Sequence, residues 1–266
     1  MALTDALLLD AAPFNAWISL RTDGIKGCGT APTDPYDGST QAKFDGVMNL
    51  FASLSNVTIH IGPGVFETRG YSDLFYVDFG TDNTLFFVGF QVKTRQKIRG
   101  SGMGLTTLKL VHALDPFAQT QVLGNDGANA VRYFEASDFT IDCNLPGQPV
   151  PAEAGFAGVT CGAVVVSGAY NRLHRLRAIR FGTQAPPECF VLFLTTAYFD
   201  QTGEGTVPVH NIIENCVVEQ PSENNTHETS LLGSGGRRLC QRRLPRRAEQ
   251  LFGLSLCQTG RHPHIQ

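Results

Sequence analysis

Three titratable side chains occupy equivalent positions in three repeating segments of this 266-residue chain. Glu135, His174 and Glu214 each come directly after an apolar residue, at intervals of 39 and 40 residues. If the segments stack as parallel strands, neighbouring side chains in this row are separated by one strand spacing of about 4.8 Å. Two carboxylates that flank an imidazole can transfer protons as general acid and general base.

The predicted distance between the two glutamates decides which reaction they suit. Two strand spacings, or about 9–10 Å, lie at the long end of the range for an inverting glycosidase. Glu135, His174 and Glu214 are therefore candidate catalytic residues. The alternative is a solvated polar row that Glu–His pairing stabilises, because exposed charge pairs are common on protein surfaces.

A second acidic cluster lies in the segment SDFTIDCN. Asp138 and Asp142 are four residues apart, so on a regular strand they point to the same side. Together with Asn144 they offer the hard oxygen ligands that Ca²⁺ prefers. The pair also suits a carboxylate dyad for hydrolysis, which adds Asp138 to the catalytic candidates. The alternative is an outward residue followed by a turn aspartate, since turns favour Asp and Asn.

A basic run, NRLHRLRAIR, supplies four arginines: Arg172, Arg175, Arg177 and Arg180. A guanidinium group grips a carboxylate in a bidentate fork. Arg175 and Arg177 are therefore candidate binding residues for an acidic substrate. The alignment of the repeats also places Arg177 beside Asp138 on the neighbouring segment, so a structural ion pair is the alternative.

The repeats that would position these groups are degenerate but ordered. Phe134, Leu173 and Ile213 align, and small or apolar residues follow each of them three and five positions later. A propeller blade has a similar period but would show four comparable strands. Nearly continuous Val and Ile runs, such as AVVVSG, instead suit parallel strands that are buried in a stack. The pattern therefore predicts an all-β parallel β-helix, a solenoid with about three strands per coil.

One amphipathic helix precedes these strands. Ser39 or Thr40 offers an N-cap, and Asn56 ends the helical pattern. The strand VTIHI, the turn GPG and the strand VFET follow. We expect the helix to cover the first coil, whose edge and core would otherwise be open. The apolar stripe of the predicted helix consists of Phe44, Val47, Met48, Phe51 and Leu54.

Composition narrows the classes of function. The net charge of −3 divides into a tail, 231–266, with seven arginines and one glutamate, and a remainder with 14 basic against 23 acidic residues. A body with more acidic than basic residues is a poor general partner for nucleic acid, because phosphate contacts need Lys and Arg. The seven cysteines form no C-x-x-C pair, so the sequence predicts no structural zinc site. It predicts buried free thiols instead, because a free cysteine behaves as a small hydrophobic residue.

The sequence also suggests how the chain is divided. We expect an N-terminal extension at 1–21, a β-helix domain with its cap at 22–230, and an Arg-rich tail at 231–266. The extension has no basic start typical of a signal peptide, and no stretch has the length of a membrane-spanning helix. The tail shows no β alternation, so it is expected to be disordered or to be read out of its proper frame. A basic tail for anionic partners is the alternative.

The motifs and their order resemble the pectate-lyase superfamily of right-handed parallel β-helices, in particular the group with rhamnogalacturonases and some phage tailspikes. The resemblance rests on DGST (37–40), the amphipathic helix, TIHIGPGVFET (58–68), IRGSGMGLTTLKL (98–110) and the repeats. It implies a carbohydrate-active enzyme that hydrolyses or eliminates glycosidic bonds in an acidic polysaccharide such as pectin. The substrate would lie along the outer groove of the coils.

The resemblance implies further properties for particular members. For a lyase it implies Ca²⁺ as a cofactor and an arginine that abstracts the C5 proton. For a tailspike-like member it implies a trimer, and relatives are usually extracellular or on phage particles. The chain lacks the Asn-Thr-Asp, Asp-Asp, Gly-His-Gly and Arg-Ile-Lys set of polygalacturonase-type hydrolases. The alternatives are a non-catalytic glycan-binding or structural β-helix, or an inactive truncated fragment.

Overall fold

A computed structural model describes most of the chain between residues 14 and 242. The described ranges are 14–21, 27–52, 54–69, 74–78, 83–111, 119–125, 131–148, 160–183, 189–190, 192–195, 210–219, 229–230 and 238–242. Within them the chain forms the α-helix α1 (Gln41–Phe51), a 3₁₀ helix (Leu145–Gly147) and nineteen β-strands. The first ten strands are β1 (Phe14–Ser19), β2 (Tyr36–Asp37), β3 (Val57–Ile61), β4 (Gly64–Thr68), β5 (Leu74–Asp78), β6 (Asn83–Gln91), β7 (Lys97–Arg99), β8 (Thr106–Leu110), β9 (Gln119–Gly124) and β10 (Val131–Arg132). The others are β11 (Glu135–Asp142), β12 (Thr160–Ala169), β13 (Arg172–Ile179), β14 (Gly182–Thr183), β15 (Cys189–Phe190), β16 (Leu192–Thr195), β17 (Ile212–Val218), β18 (Thr229–Ser230) and β19 (Arg238–Arg242).

The strands build two large sheets from successive passes of the chain. The first sheet has the order β19–β17–β13–β11–β7–β3–β1–β2, and β8 connects β4 to β11. In the second sheet, β6, β9, β12 and β16 are parallel neighbours, and β5 is antiparallel to β6. Parallel strands from successive passes are the signature of a coil. The predicted fold, an all-β right-handed parallel β-helix with an N-terminal helix, is confirmed.

The strand register stacks apolar side chains into continuous rows inside the coil. All members of two such rows are buried, so each coil extends the same hydrophobic core. The first row is Ala16, Ile59, Ile98, Ala136, Leu173 and Ile213. The second row is Phe66, Leu108, Ile141, Ala178 and Val218.

The register differs from the predicted alignment by two residues at one repeat. Leu173 pairs with Ile213, as predicted, but its partner on β11 is Ala136 rather than Phe134. The cause is unequal repeat length, because paired positions are 37 residues apart between β11 and β13 and 40 apart between β13 and β17. Phe134 therefore lies opposite Asn171, whose side-chain oxygen accepts a hydrogen bond from the Phe134 amide at 3.0 Å.

The strands β11, β13 and β17 each contain a residue with positive φ at the same position. Asp138 and Arg175 stack there on successive coils with φ of 66° and 49°. The alternation of inward and outward side chains shifts at this point, so that Leu173 and Leu176, three residues apart, are both buried. Asp138 thus lies at this position and Asp142 on the segment beyond it, and the two do not share a strand face as predicted.

The N-terminal helix covers the coil as predicted. Thr40 caps α1 and accepts a hydrogen bond from the Lys43 amide. Four of the five predicted stripe residues pack on the core, whereas Leu54 lies beyond the end of the helix and is exposed. The sequence analysis missed Asp45, a buried carboxylate that accepts hydrogen bonds from the Thr68 hydroxyl at 2.6 Å and the backbone amide that follows it at 3.0 Å. The stripe residues packed on the core are Phe44, Val47, Met48 and Phe51.

Two strands lie outside the range predicted for the β-helix. β1 belongs to the predicted N-terminal extension, yet it pairs in parallel with β3 along five residues. β19 belongs to the predicted tail and pairs with β17. A strand at the edge of a sheet offers unpaired backbone groups, which explains how a segment without alternating hydrophobicity can add to it. Among the described helices, none has the length and apolar character needed to cross a membrane.

Candidate active site on the outer face of the first sheet

The outer face of the first sheet carries two adjacent rows of side chains, one from each outward position of successive strands. The charged members on β7, β11, β13 and β17 form two groups of contacting side chains, one around Glu135 and one between Arg172 and Glu214. We call them together the outer-face site: Lys97, Arg99, Glu135, Arg172, His174 and Glu214. The first row is Asn15, Thr58, Lys97, Glu135, Arg172 and Ile212. The second row is Trp17, His60, Arg99, Ser137, His174 and Glu214.

Glu135 lies at the centre of the outer-face site and contacts three charged or titratable groups. Its Oε1 accepts hydrogen bonds from Arg99 at 3.0 Å and from His174 Nε2 at 3.2 Å, and Lys97 Nζ is 4.0 Å from Oε2. Burial raises the pKa of Glu135, but the hydrogen bonds from His174 and Arg99 outweigh it and lower the pKa below its ordinary value. Glu135 is therefore a carboxylate at neutral pH and cannot donate a proton.

The ionised state of Glu135 determines which nitrogen of His174 carries the proton. An ionised carboxylate only accepts hydrogen bonds, so the His174 nitrogen that faces it, Nε2, must be the donor. In the neutral imidazole the lone pair is then on Nδ1. Nδ1 is buried and has no hydrogen-bond partner among the described residues. This is the arrangement of a general base oriented by a carboxylate.

Glu214 is on the same face but has a different partner from the predicted one. His174 lies opposite Glu214 in the strand register. The Glu214 carboxylate nevertheless accepts hydrogen bonds from Arg172, including one from Nε at 2.8 Å. The predicted Glu135–His174–Glu214 ladder is therefore present in part. Glu135 and His174 meet across a diagonal of the sheet, and Glu214 is neutralised by arginine. The catalytic roles of the three residues remain predictions.

The two aspartates proposed as calcium ligands are each bound by a separate arginine. Asp138 forms a fork with Arg175 at 2.5 and 2.8 Å, and this hydrogen bonding lowers the pKa of Asp138. Asp142 is buried and accepts hydrogen bonds from Arg180 Nε at 2.8 Å and from the Asn144 amide at 3.0 Å. The described part of the chain holds no group of three or more His, Cys, Asp or Glu side chains suited to a metal ion. These residues do not fit a calcium site, and we derive no step that uses one.

The basic run forms a ladder of ion pairs between coils. Two of its arginines reach back to β11, and two reach forward to the following coil. Arg177 bonds to Glu219 rather than to Asp138, which is another consequence of the two-residue difference in register. The substrate-binding role predicted for Arg175 and Arg177 remains a prediction, and a substrate carboxylate would have to compete with their present partners. The four pairs are Arg172–Glu214, Arg175–Asp138, Arg177–Glu219 and Arg180–Asp142.

The outer face also carries groups that the sequence analysis missed. Trp17 stacks on His60 with ring centroids 5.0 Å apart, and both line a cavity of about 370 Å³ together with Arg99. Burial, and then the charge of Arg99, lower the pKa of His60. The sequence contained a usable signal. Ile59 and Ile98 could have been aligned with Ala136 as inward residues, which would have placed His60 and Arg99 in the row of His174.

The comparisons with known proteins add little to this geometry. No family model matches the chain, and neither does any curated protein. Among solved structures, the chain is similar to the A-module of the mannuronan C-5 epimerase AlgE4 from Azotobacter vinelandii, at 12% sequence identity and a TM-score of 0.36. The match covers 77% of this chain and 50% of that chain, so this chain spans about half the length of the module. The fold assignment rests on the strand pairing described above.

Proposed function

We propose that this protein acts on an acidic polysaccharide that lies along the outer-face site, with His174 as the general base. The observation that carries the proposal is the contact of Glu135 with His174 and Arg99, which brings residues from three successive coils together on one face. Glu135 orients the imidazole, and Arg99 supplies positive charge beside it. An extended polymer suits this face because the same kind of surface recurs from coil to coil.

The chemistry that fits best is proton abstraction from a uronate sugar. The C5 proton of a uronate is next to a carboxylate, and neutralising that carboxylate makes the proton more acidic. The side chains of Lys97 and Arg99 are each 42% exposed and can offer that charge to a ligand. In an elimination, His174 takes the C5 proton, the C4–O bond breaks as the C4–C5 double bond forms, and the leaving oxygen takes a proton from water.

Elimination is favoured over hydrolysis by the protonation state of Glu135. A glycosidase needs one carboxylic acid that stays protonated to donate to the leaving group. Glu135 has a lowered pKa and is ionised instead. The two carboxylates of the predicted hydrolase, Glu135 and Glu214, are moreover both held by arginines.

A non-catalytic glycan-binding protein is the second candidate function. The observation in its favour is that Nδ1 of His174 is buried, so the side chains that cover it must move before a substrate reaches it. The ion pairs of Arg172 and Arg175 also satisfy the carboxylates around it. A binding protein needs the exposed cations and aromatic groups of this face but no accessible base.

The test is the ultraviolet absorbance of the unsaturated product, measured on polygalacturonate and on alginate. We expect absorbance to rise with the native protein, and we expect His174→Gln to lower the rate by about 10²–10⁴, the usual contribution of a general base. Glu135→Gln should also slow the reaction, because it removes the group that orients the imidazole. The matched control is Glu67→Gln, which breaks an exposed ion pair with Lys109 on a different part of the coil and should leave the rate unchanged.

Each other outcome has a defined meaning. Binding of the polysaccharides without absorbance or new reducing ends would support the second candidate. New reducing ends without absorbance would show hydrolysis and contradict elimination. The proposal would be overturned if the protein neither bound nor converted either polysaccharide.

A further inference from the structure

A second feature, adjacent to the outer-face site, lies in the turns that precede the strands of the first sheet. The same position on five successive coils is held by residues with positive φ between 58° and 61°. The last four of these residues contact each other in order along the coil axis, and we call them the turn stack. The five residues are Asn56, Arg95, Tyr133, Tyr170 and His210.

The rings of the turn stack are parallel but displaced sideways. The centroids of Tyr133 and Tyr170 are 5.0 Å apart with an interplanar angle of 18°, and those of Tyr170 and His210 are 5.3 Å apart at 26°. Flat rings in contact are about 3.5–4 Å apart, so the first pair must be offset by about 3–3.6 Å and the second by about 3.5–4 Å. Because of this sideways offset, each ring leaves part of one face uncovered by its neighbour. Arg95 lies over Tyr133 at 6.0 Å.

Core packing does not explain these side chains. Tyr133 and Tyr170 are 49% and 40% exposed. A left-handed backbone costs a residue with a side chain about 1–2 kcal/mol, and Asn is among the residues that tolerate it. Asn56 shows that Asn fits this position in the same turn. Residues held in a strained backbone conformation often cluster at ligand-binding sites, which makes these exposed rings a candidate binding surface.

The surroundings of the turn stack indicate the chemistry of a ligand. A groove of about 380 Å³ runs beside it and is lined by Tyr133, Tyr170 and His210, and by Lys97, Glu135 and Arg172 of the outer-face site. The side chains of Lys97 and Arg172 are 42% and 45% exposed. The groove thus offers aromatic faces, which attract the weakly positive C–H groups of a sugar ring, beside cations that attract carboxylates.

We propose that the turn stack is a binding subsite for consecutive sugar rings of an anionic glycan strand, which runs parallel to the coil axis. The repeat of the stack is close to the length of one sugar residue, so neighbouring rings of the ligand contact neighbouring steps. A strand bound there would pass beside Glu135, which lines the same groove. The inference rests on the proposed function for its ligand class but not for any catalytic step.

The test uses a substitution that the turn can accept. Tyr133→Asn and Tyr170→Asn together remove both phenol rings and introduce the residue that the first coil already has at this position. We expect binding of polygalacturonate, alginate or hyaluronate to weaken by about tenfold or more, as the loss of two aromatic contacts predicts. The control Tyr170→His keeps a ring of the kind that His210 provides and should bind almost as well as the native protein. Circular dichroism and the thermal unfolding midpoint check that all variants fold.

The result also has to separate this subsite from the catalytic proposal. Suppose that the native protein forms the unsaturated product and that the double Asn variant binds the polysaccharide as tightly as the native protein. This result would overturn the subsite and would leave the catalytic proposal standing. Binding lost in the double Asn variant but kept in His174→Gln, with no product formed by native protein, would support the subsite and contradict catalysis. Two further results would overturn the inference: no binding of any of the three polymers, or equal binding of dextran or single-stranded oligothymidylate.

Discussion

Asn171 holds two coils together, and its replacement by alanine gives the most quantitative test of the fold. The side chain is fully buried between successive coils. Its Nδ2 donates to the Val131 carbonyl at 3.0 Å, and its Oδ1 accepts from the Phe134 amide at 3.0 Å. Asn211 repeats the arrangement one coil further on, where its Oδ1 accepts from the Asn171 amide at 2.9 Å.

The cost of Asn171→Ala follows from the two backbone groups that lose their partner. A buried donor or acceptor left without a hydrogen bond costs about 1–3 kcal/mol, so we expect a loss of about 2–6 kcal/mol in the free energy of unfolding. Total stabilities are commonly about 5–15 kcal/mol, so this is a large fraction. Because each coil contacts only its neighbours, the damage should be greatest at the interface between β11 and β13.

The measurement is urea unfolding followed by far-ultraviolet circular dichroism. The matched control is Asn49→Ala on α1, where the side-chain oxygen is buried and accepts no hydrogen bond from the described residues. That substitution removes an unsatisfied group and introduces a better helix former, so it should be neutral or slightly stabilising. If Asn171→Ala lay within about 0.5 kcal/mol of the native protein, the range of an ordinary surface change, the register would be wrong.

Three further predictions test other parts of the structure. The pKa of Asp37 is lowered from 3.8 to about 2, chiefly by the hydrogen bond that the carboxylate accepts from Lys43. The ionised carboxylate therefore contributes its full stability above the ordinary pKa, and this contribution is lost as the pH falls towards 2. Asp37→Asn should flatten that part of a curve of unfolding free energy against pH. Phe44→Ala should lower the free energy of unfolding by about 3–5 kcal/mol in urea titrations, because the ring is fully buried beneath the cap, and a loss below 1 kcal/mol would mean that the helix does not cover the core. A double-mutant cycle should find coupling of up to about 1 kcal/mol between Asp138 and Arg175 but none between Asp138 and Arg177, and the reverse result would restore the register predicted from the sequence.

The fold was predictable because local and global patterns agree. The apolar stripe of α1, the alternation in VTIHI and the runs of Val and Ile each correspond to an element with that burial in the structure. The coil period was visible in the spacing of the repeats. None of these signals depends on knowing which residue lies opposite which, and so they survive an error in register.

The site was predictable only in part because side-chain contacts do depend on register. The observed register differs from the predicted one by two residues at one repeat. As a result, Ser137 rather than Glu135 lies opposite His174 in the sheet, and Asp138 pairs with Arg175 rather than with Arg177. The alignment predicted from the sequence was wrong at this repeat because the apolar Phe134 resembles the inward-facing residue that begins the other repeats. In the structure, Phe134 occupies the position that Asn171 holds on the next coil. The Glu135–His174 contact was predicted as a direct neighbour and occurs as a diagonal one.

The central claim is that an acidic polysaccharide occupies the outer-face site, and lysine accessibility tests it most directly. Lys97 lies in the site, whereas Lys43 on α1 is similarly exposed, at 49% against 42%, and lies on the cap. The rate of acetylation of each lysine can be measured by mass spectrometry with and without polygalacturonate or alginate. We expect a polysaccharide to slow the acetylation of Lys97 and to leave the rates at Lys43 and Lys109 unchanged. Equal protection of all three lysines, or protection of Lys43 without Lys97, would contradict the central claim.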